Sequence, residues 1–488
     1  MSLPQPRRAL ANPLVYLALG VATPLAAQAP LTLPQAVILA QQRGYSAEAA
    51  LAARDAARYR YRAFRSGLLP QLSLSSTLPS YNRSIVPVVQ PDGSTLFRTQ
   101  QQTSASLAMQ LSQEIPFTGG ELFMTSSLRR LSVSGVEDAQ TWSSTPFAIG
   151  LRQEILRPNR VGWDRRVQQT GWELAERQYR QDREAIALQT ADLFFAVYAA
   201  EVALANAIAN ATTNDTLYLL NRGRFDVGRI GENDLLQSEL ALLRAQTAVD
   251  EARLDRARAL AALRLALRIP SGTAVTIVAP TAIPEFPVDT AQSVAEALRY
   301  APEVSEADLE AVEADRRVTE AKLDNGIGAT VQATFGYNAS APEMKLAYQD
   351  LLEARQLTVQ VEVPVWQWGA RTEGVQAAEA ERDQTASLSA LALEQKAQEA
   401  HFAALRLAQA RRNLLLSAKA DTVGNKRFEV AYNRYVIGRI SIDNLYIAQN
   451  EKDQARAQYV EALRGYWRAY YDLRRVTLFD FERNEPIR

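Results

Sequence analysis

Two periodicities divide this chain. At Leu357, Val359, Val361, Val363 and Val365 the apolar positions recur every second residue, with Gln356, Thr358, Gln360 and Glu362 between them. The same alternation runs through Leu72 and Leu74, through Leu107, Met109 and Leu111, through Phe147, Ile149 and Leu151, and through Val331, Ala333, Phe335 and Tyr337. Period two marks strands with one apolar and one polar face. Elsewhere the spacing is helical, as in Ala187, Ala191, Phe194, Phe195 and Tyr198, or Leu405, Ala408 and Leu416. Prolines keep the two kinds of material apart. None lies between Pro158 and Pro270 or between Pro364 and Pro486, and both gaps are rich in Ala, Leu, Glu, Gln and Arg. Each gap is expected to be one helix of about 65 residues, a break at Gly228 or Gly438, and a second helix of about 40. At about 1.5 Å per residue the longer helices reach ~100 Å, a length that a coiled coil or tube uses and a compact domain does not need.

The chain also repeats itself. RFDVGRIGENDLL at 224–236 and RYVIGRISIDNLY at 434–446 share Arg, Gly, Arg, Ile and Leu at an offset of 210, and Val167-Gln168 and Phe194 match Val375-Gln376 and Phe402 at 208. Two copies of one structural unit are expected. The first copy spans 30–270, with a helix at roughly 33–65, strands at 70–78, 104–115, 120–133 and 147–155, and long helices 161–227 and 231–269. A proline-rich linker, 271–289, with a short strand near Val275–Val278, leads to the second copy, 290–478. That copy is expected to hold a helix at roughly 290–322, strands at 329–338 and 355–365, long helices 369–437 and 441–478, and then a tail, 479–488. The fold class is mainly α with transmembrane β. A soluble sandwich would set the apolar faces of the strands against a second sheet; an outer-membrane barrel would set them against lipid. Segments of about 9–11 residues and polar loops at 79–103, 132–146 and 338–354 favour the barrel.

Charge and composition narrow the function. Lys+Arg and Asp+Glu are equal at 54 each, so no net field favours nucleic acid. Cysteine is absent and His401 is the sole histidine, which excludes thiolate sites, His-based triads and two-His metal sites within one chain. No glycine-rich phosphate loop is found, and carboxylates on the helices sit at ion-pair spacing with Arg and Lys. No enzyme activity, cofactor or metal is expected. Arg7 and Arg8, the apolar run Leu14–Leu25 and the Ala27-Gln28-Ala29 site read as a cleaved secretory signal over 1–29, because about 12 apolar residues fall short of the ~20 a membrane anchor needs. No later uncharged apolar stretch of spanning length is expected.

These motifs resemble the TolC-type outer-membrane efflux factors across the mature chain. LTLPQAVILAQQRG (31–44) resembles the first helix of that family, VPVWQWGARTEGVQAAEAER (363–382) its strand-to-helix passage, and the Arg-aromatic-x-x-Gly repeats its helix–turn–helix tips. The resemblance implies a homotrimer in the outer membrane of a Gram-negative-type cell. Each protomer would give four strands to one twelve-stranded barrel, continued by an α-helical periplasmic tunnel. It also implies a periplasmic adaptor and an inner-membrane pump as partners, with no cofactor. LSQEIPFTGGELFMTSSLRRLSV (111–133) departs from this pattern as an additional hairpin, placed either in the barrel or outside it.

Candidate sites follow from the resemblance and the residues together. Asp443, Asn444, Arg439, Asp234 and Arg229 lie where the tunnel entrance would be, and Gly228, Ile230, Gly438 and Ile440 where an adaptor would dock. The family's acidic ring falls on Asn444 and Ile447, which weakens it here unless Asp443 substitutes; Asp443 also suits a helix cap. Pro158, Pro364 and Gly369 mark strand-to-helix turns. Trp366 and Trp368 suit either an interfacial aromatic belt or packing at the turn. The rival classes are a periplasmic adaptor, which would have a single helical hairpin, and a soluble coiled-coil structural protein.

Overall fold

The computed structural model describes residues 30–135, 138–280 and 282–487, so the expected signal segment 1–29 lies outside the described residues. In chain order the main elements are β1 (Leu31–Thr32), α1 (Leu33–Arg43), α2 (Tyr45–Gly67), β2 (Gln71–Val89), β3 (Thr95–Ile115), β4 (Gly120–Ser134), β5 (Ala139–Ile155), α3 (Arg160–Asp226) and α4 (Glu232–Ala266). The second half follows as β6 (Ile277–Val278), α5 (Thr290–Tyr300), α6 (Pro302–Asp324), β7 (Gly328–Ala341), β8 (Leu352–Glu362), α7 (Ala370–Val436) and α8 (Ile442–Thr477). A 3-10 turn, Leu346–Tyr348, precedes β8.

The opening helix of each half is two helices rather than one. Both breaks fall on a residue with extended backbone, Gly44 at φ −63°, ψ 148° and Ala301 at φ −63°, ψ 147°. Pro302 forces the second break, since proline excludes helical geometry from the residue before it. At Gly44 a Cβ would stand 2.6 Å from the carbonyl oxygen of Ala40, so only glycine fits.

The helices form the lower body. α4 packs on α3, α3 on α8, and α8 on α7, while nearer the strands α2 packs on α3, α3 on α6 and α6 on α7. The core sits mid-length, where Phe194 and Phe195 of α3, Leu263 of α4, Leu407 of α7 and Tyr466 of α8 are buried together with Leu33 of α1. One stretch of α3 is long and apolar enough by composition to cross a bilayer, although no uncharged apolar stretch of that length occurs in it. Of that stretch 22% is buried within the chain, so the helical core around Ala191, Phe194, Phe195 and Val197 accounts for part of the apolar run. β1 and β6 pair in parallel at its margin.

All six long strands join one antiparallel sheet in the order β2-β3-β4-β5-β7-β8. The hairpin at 111–133 therefore lies inside the sheet, and each chain supplies six strands, not four. The strands also outrun their expected ends: the loops placed at 79–103 and 132–146 are largely strand, with β2 continuing to Val89, β3 starting at Thr95 and β5 at Ala139. β8 ends at Glu362, so Val363 and Val365 lie beyond it.

Register aligns one largely apolar face across the sheet, its first row ending opposite Arg355 of β8. Leu72 pairs with Leu111, Leu111 with Met124, Met124 with Ile149, and Ile149 with Phe335. The next row runs Leu122, Leu151, Ala333, Leu357. No second layer covers these side chains: Leu72 is 67% and Val361 58% exposed. The opposite face carries Ser73, Gln110, Thr125, Thr334 and Gln356.

Candidate gate and docking site at the helix tips

The two long helices end in one shared piece of geometry. Gly228 (φ 70°) and Gly438 (φ 74°) take left-handed backbone. The Gly228 N–H donates to Phe225 O at 2.8 Å and the Arg229 N–H to Arg224 O at 2.8 Å; the Gly438 and Arg439 N–H groups repeat this to Tyr435 O and Arg434 O, both at 2.9 Å. Such a pair of bonds satisfies helix carbonyls that would otherwise lack donors. A Cβ at either glycine meets nothing within 4 Å. The conformation alone calls for glycine.

Gly231 and Ser441 then start α4 and α8 as N-cap residues. Ser441 occupies the capping position that Asp443 was expected to contest. Asp443 instead lies in the first turn of α8, where a carboxylate favours the partial positive charge of the helix end, and accepts from Gln237 Nε2 of α4 at 2.7 Å. It ties one hairpin to the other. Asn444 Nδ2 donates to Ser441 Oγ at 3.0 Å. Asp234 is half-buried in the first turn of α4. Arg229 and Arg439 are exposed, and among the described residues neither side chain makes a hydrogen bond or ion pair within the chain. An Arg439–Asp443 pair is therefore not formed in one protomer. Ile230 and Ile440 are half-buried, Ile440 against a small apolar cluster of Leu217, Tyr435, Ile442 and Leu445.

Four residues at this site were not anticipated. The Tyr435 hydroxyl donates to Asn221 Oδ1 at 2.6 Å, while Arg224 stacks over the Tyr435 ring at 5.2 Å and donates to Val436 O at 2.9 Å. The end of α3 is thereby latched to the end of α7. Tyr446 lies beside them, and burial pushes its phenol up to about 12; burial raises that of Tyr435 as well. Their signal in the sequence was divergence within the repeat, since Tyr435 and Tyr446 replace Phe225 and Leu236 of the first copy.

At the other end of the long helices Pro158 is buried in the turn before α3. Arg157 donates to Asp324 O and to Glu362 at 2.6 Å, joining α6 and β8. Gly369 (φ 86°) is the N-cap of α7, and Pro364 is half-buried just past β8. Trp366 and Trp368 meet edge to face at 5.1 Å and both are exposed, Trp368 to 90%, so they do not pack the turn. His401 meets Phe402 edge to face in mid-helix. Among the described residues no group of three or more His, Asp or Glu could hold a metal.

Residues 121–267 match the model of the outer membrane efflux protein family, so the resemblance read from the motifs stands and this stretch carries that family's domain. The whole fold is that of solved outer-membrane channels. The CmeC outer membrane channel of Campylobacter jejuni is 15% identical with a TM-score of 0.66, over 93% of this chain and 86% of that one. The outer membrane protein VceC of Vibrio cholerae is 13% identical with a TM-score of 0.66, over 93% and 97%. The open-state MtrE outer membrane channel of Neisseria gonorrhoeae is 15% identical with a TM-score of 0.62, over 91% and 88%. Comparison with curated protein sequences finds no significant match.

Proposed function

We propose that three copies of this chain form a passive exit duct, with the sheet in the outer membrane and the long helices crossing the periplasm. An adaptor would meet the tips around Gly228, Ile230, Gly438 and Ile440 and link them to an inner-membrane pump. Asp443, Asn444, Arg439, Asp234 and Arg229 would ring the entrance. The repeats at 30–270 and 290–478 each supply a strand set and a helical hairpin to this duct. One observation carries the reading: a six-stranded sheet with an aligned, uncovered apolar face and a polar opposite face. Water penalises such a face, whereas lipid outside and a wet lumen inside suit it. A soluble coiled-coil protein has no use for it, and an adaptor would have one helical hairpin where this chain has two.

The test is arginine placed on each face. Val359→Arg or Val361→Arg is expected to cost about 2–4 kcal/mol near the bilayer midplane and to reduce membrane assembly, with Gln360→Arg tolerated. Equal tolerance at all three positions would overturn the duct.

A further inference from the structure

The sheet has two unpaired edges, the outer sides of β2 and β8, which each pair with one neighbour only. In hydrocarbon an edge of unbonded N–H and C=O groups costs several kcal/mol per group, so both must find partners. Resting on the duct reading above, we infer that β2 of one protomer pairs with β8 of the next, and that three copies close an eighteen-stranded barrel in place of twelve strands.

Three observations place the additional hairpin, β3 and β4, within that barrel. Its backbone is paired on both sides, from Gln101↔Ser134 to Ile115↔Gly120 between its own strands and outward to β2 and β5. Its side chains continue the apolar rows, with Leu111, Leu122 and Met124 in line with Ile149, Leu151 and Phe335. Its turn is fastened to the start of α3: Asn159 Nδ2 donates to Pro116 O at 2.9 Å and Phe117 O at 3.1 Å, and Gln153 Nε2 to Thr118 O at 3.0 Å. Asn159 Oδ1 meanwhile caps α3 by accepting from the Gly162 N–H at 2.9 Å. A flap lying outside the barrel would need neither the lipid-facing rows nor this anchorage.

The edges also fit each other. Counting along the sheet, alternate strands run in opposite directions, so β2 and β8 of adjacent copies meet antiparallel, like every other pair in the sheet. Pro79 and Pro87 lack N–H donors, which leaves Gln71–Leu78 as the longest proline-free run of the β2 edge to face the eleven residues of β8. Circumference agrees as well. Directly beneath the strands each chain supplies four helices, α2, α3, α6 and α7. Twelve helices at about 8–10 Å spacing make a ring of about 100–120 Å around. Eighteen strands about 4.8 Å apart and tilted by about 40° measure about 110 Å, and twelve only about 75 Å. The lumen is then about 1.5-fold wider than that of twelve strands, since diameter grows with strand number. An exit of that width suits bulky cargo, polypeptide included.

The cysteine-free chain makes the test direct. Ser73→Cys or Ser75→Cys is combined with Gln356→Cys, Thr358→Cys or Gln360→Cys, all on the polar face, and the protein is oxidised in outer membranes. Disulfides form only where Cα atoms lie within about 7 Å. Some of these pairs are expected to shift the monomer band to covalent dimer and trimer, while Thr125→Cys or Ser127→Cys on β4 with the same β8 cysteines gives no shift. If the β4 pairs link protomers and the β2 pairs do not, β2 and β3 lie outside a twelve-stranded barrel; the eighteen-stranded closure is overturned and the duct stands. If reduced protein carrying these cysteines, like the parent chain, never enters the outer membrane, both readings fall.

Discussion

At the ends of α3 and α7 the chain makes the same turn with the same bonds, yet the surroundings differ. Tyr435 is 5% exposed and Ile442 4%, packed with Leu217 and Leu445, whereas Phe225, which matches Tyr435, is 39% exposed and Glu232 stands where Ile442 does. Arg224 of the first tip reaches the second, but Arg434, its counterpart, is exposed and makes no reciprocal bond. Duplication thus preserved what the backbone requires and released what packing decides. The second tip is packed against α3 through an apolar cluster that includes Leu217 and is closed by the Tyr435–Asn221 hydrogen bond. Both tips leave apolar residues uncovered, Phe225, Val227 and Leu236 on the first and Val436, Ile437 and Ile447 on the second, so the difference lies in the cluster around Tyr435 and not in the exposed surface.

The largest test of this contrast is truncation. Tyr435→Ala is expected to destabilise the tip by about 3–5 kcal/mol, as for other buried aromatic residues, and to strand Asn221 without its donor. Phe225→Ala should cost about 1 kcal/mol or less, being a partly exposed site. Hydrogen exchange over 428–446 and 217–236 in detergent reads the two separately; equal losses of protection would remove the distinction between the tips.

The turns themselves should respond alike. Gly228→Val and Gly438→Val each force a branched side chain into left-handed backbone, at about 1–2 kcal/mol, with no clash to add because the space beside each is open. Trimer assembly should persist, while adaptor crosslinking is lost with either substitution. Loss of the trimer from either substitution would make the tips structural and displace the docking site.

How far the sequence could be read follows the same division between local and distant causes. The long helices were legible because proline is missing from them and their apolar spacing is unbroken, and the tip glycines because a left-handed residue leaves a mark at one position. The strand centres were legible from alternation. Their ends were not: the stretch 79–103 read as loop, yet β2 runs through Pro79 and Pro87 to Val89, as a strand at the edge of the chain's own sheet tolerates proline. The Asn221–Tyr435 bond spans 214 positions, and no local pattern announces such a contact. Nor could the sequence say that Asp443 would meet Gln237, since that depends on how two hairpins approach.

That last contact allows the finest comparison. Asp443 carries a charge at a helix start and a hydrogen bond across the hairpins, whereas Asp234, in the first turn of the other hairpin, has only the first. Removing charge at a helix N-terminus costs about 0.3–1 kcal/mol, so stability barely separates them. Conductance does. Asp443→Asn keeps an oxygen for Gln237 Nε2 and should leave ion conductance in planar bilayers nearly unchanged, while Asp443→Ala frees α8 from α4 and should raise it, because closure of a narrow ring rests on few contacts. Asp234→Ala should do neither. If Asp443→Asn opened the channel as far as Asp443→Ala, the charge would be the closing element, and the exposed Arg439 of a neighbouring protomer would be the partner to pursue.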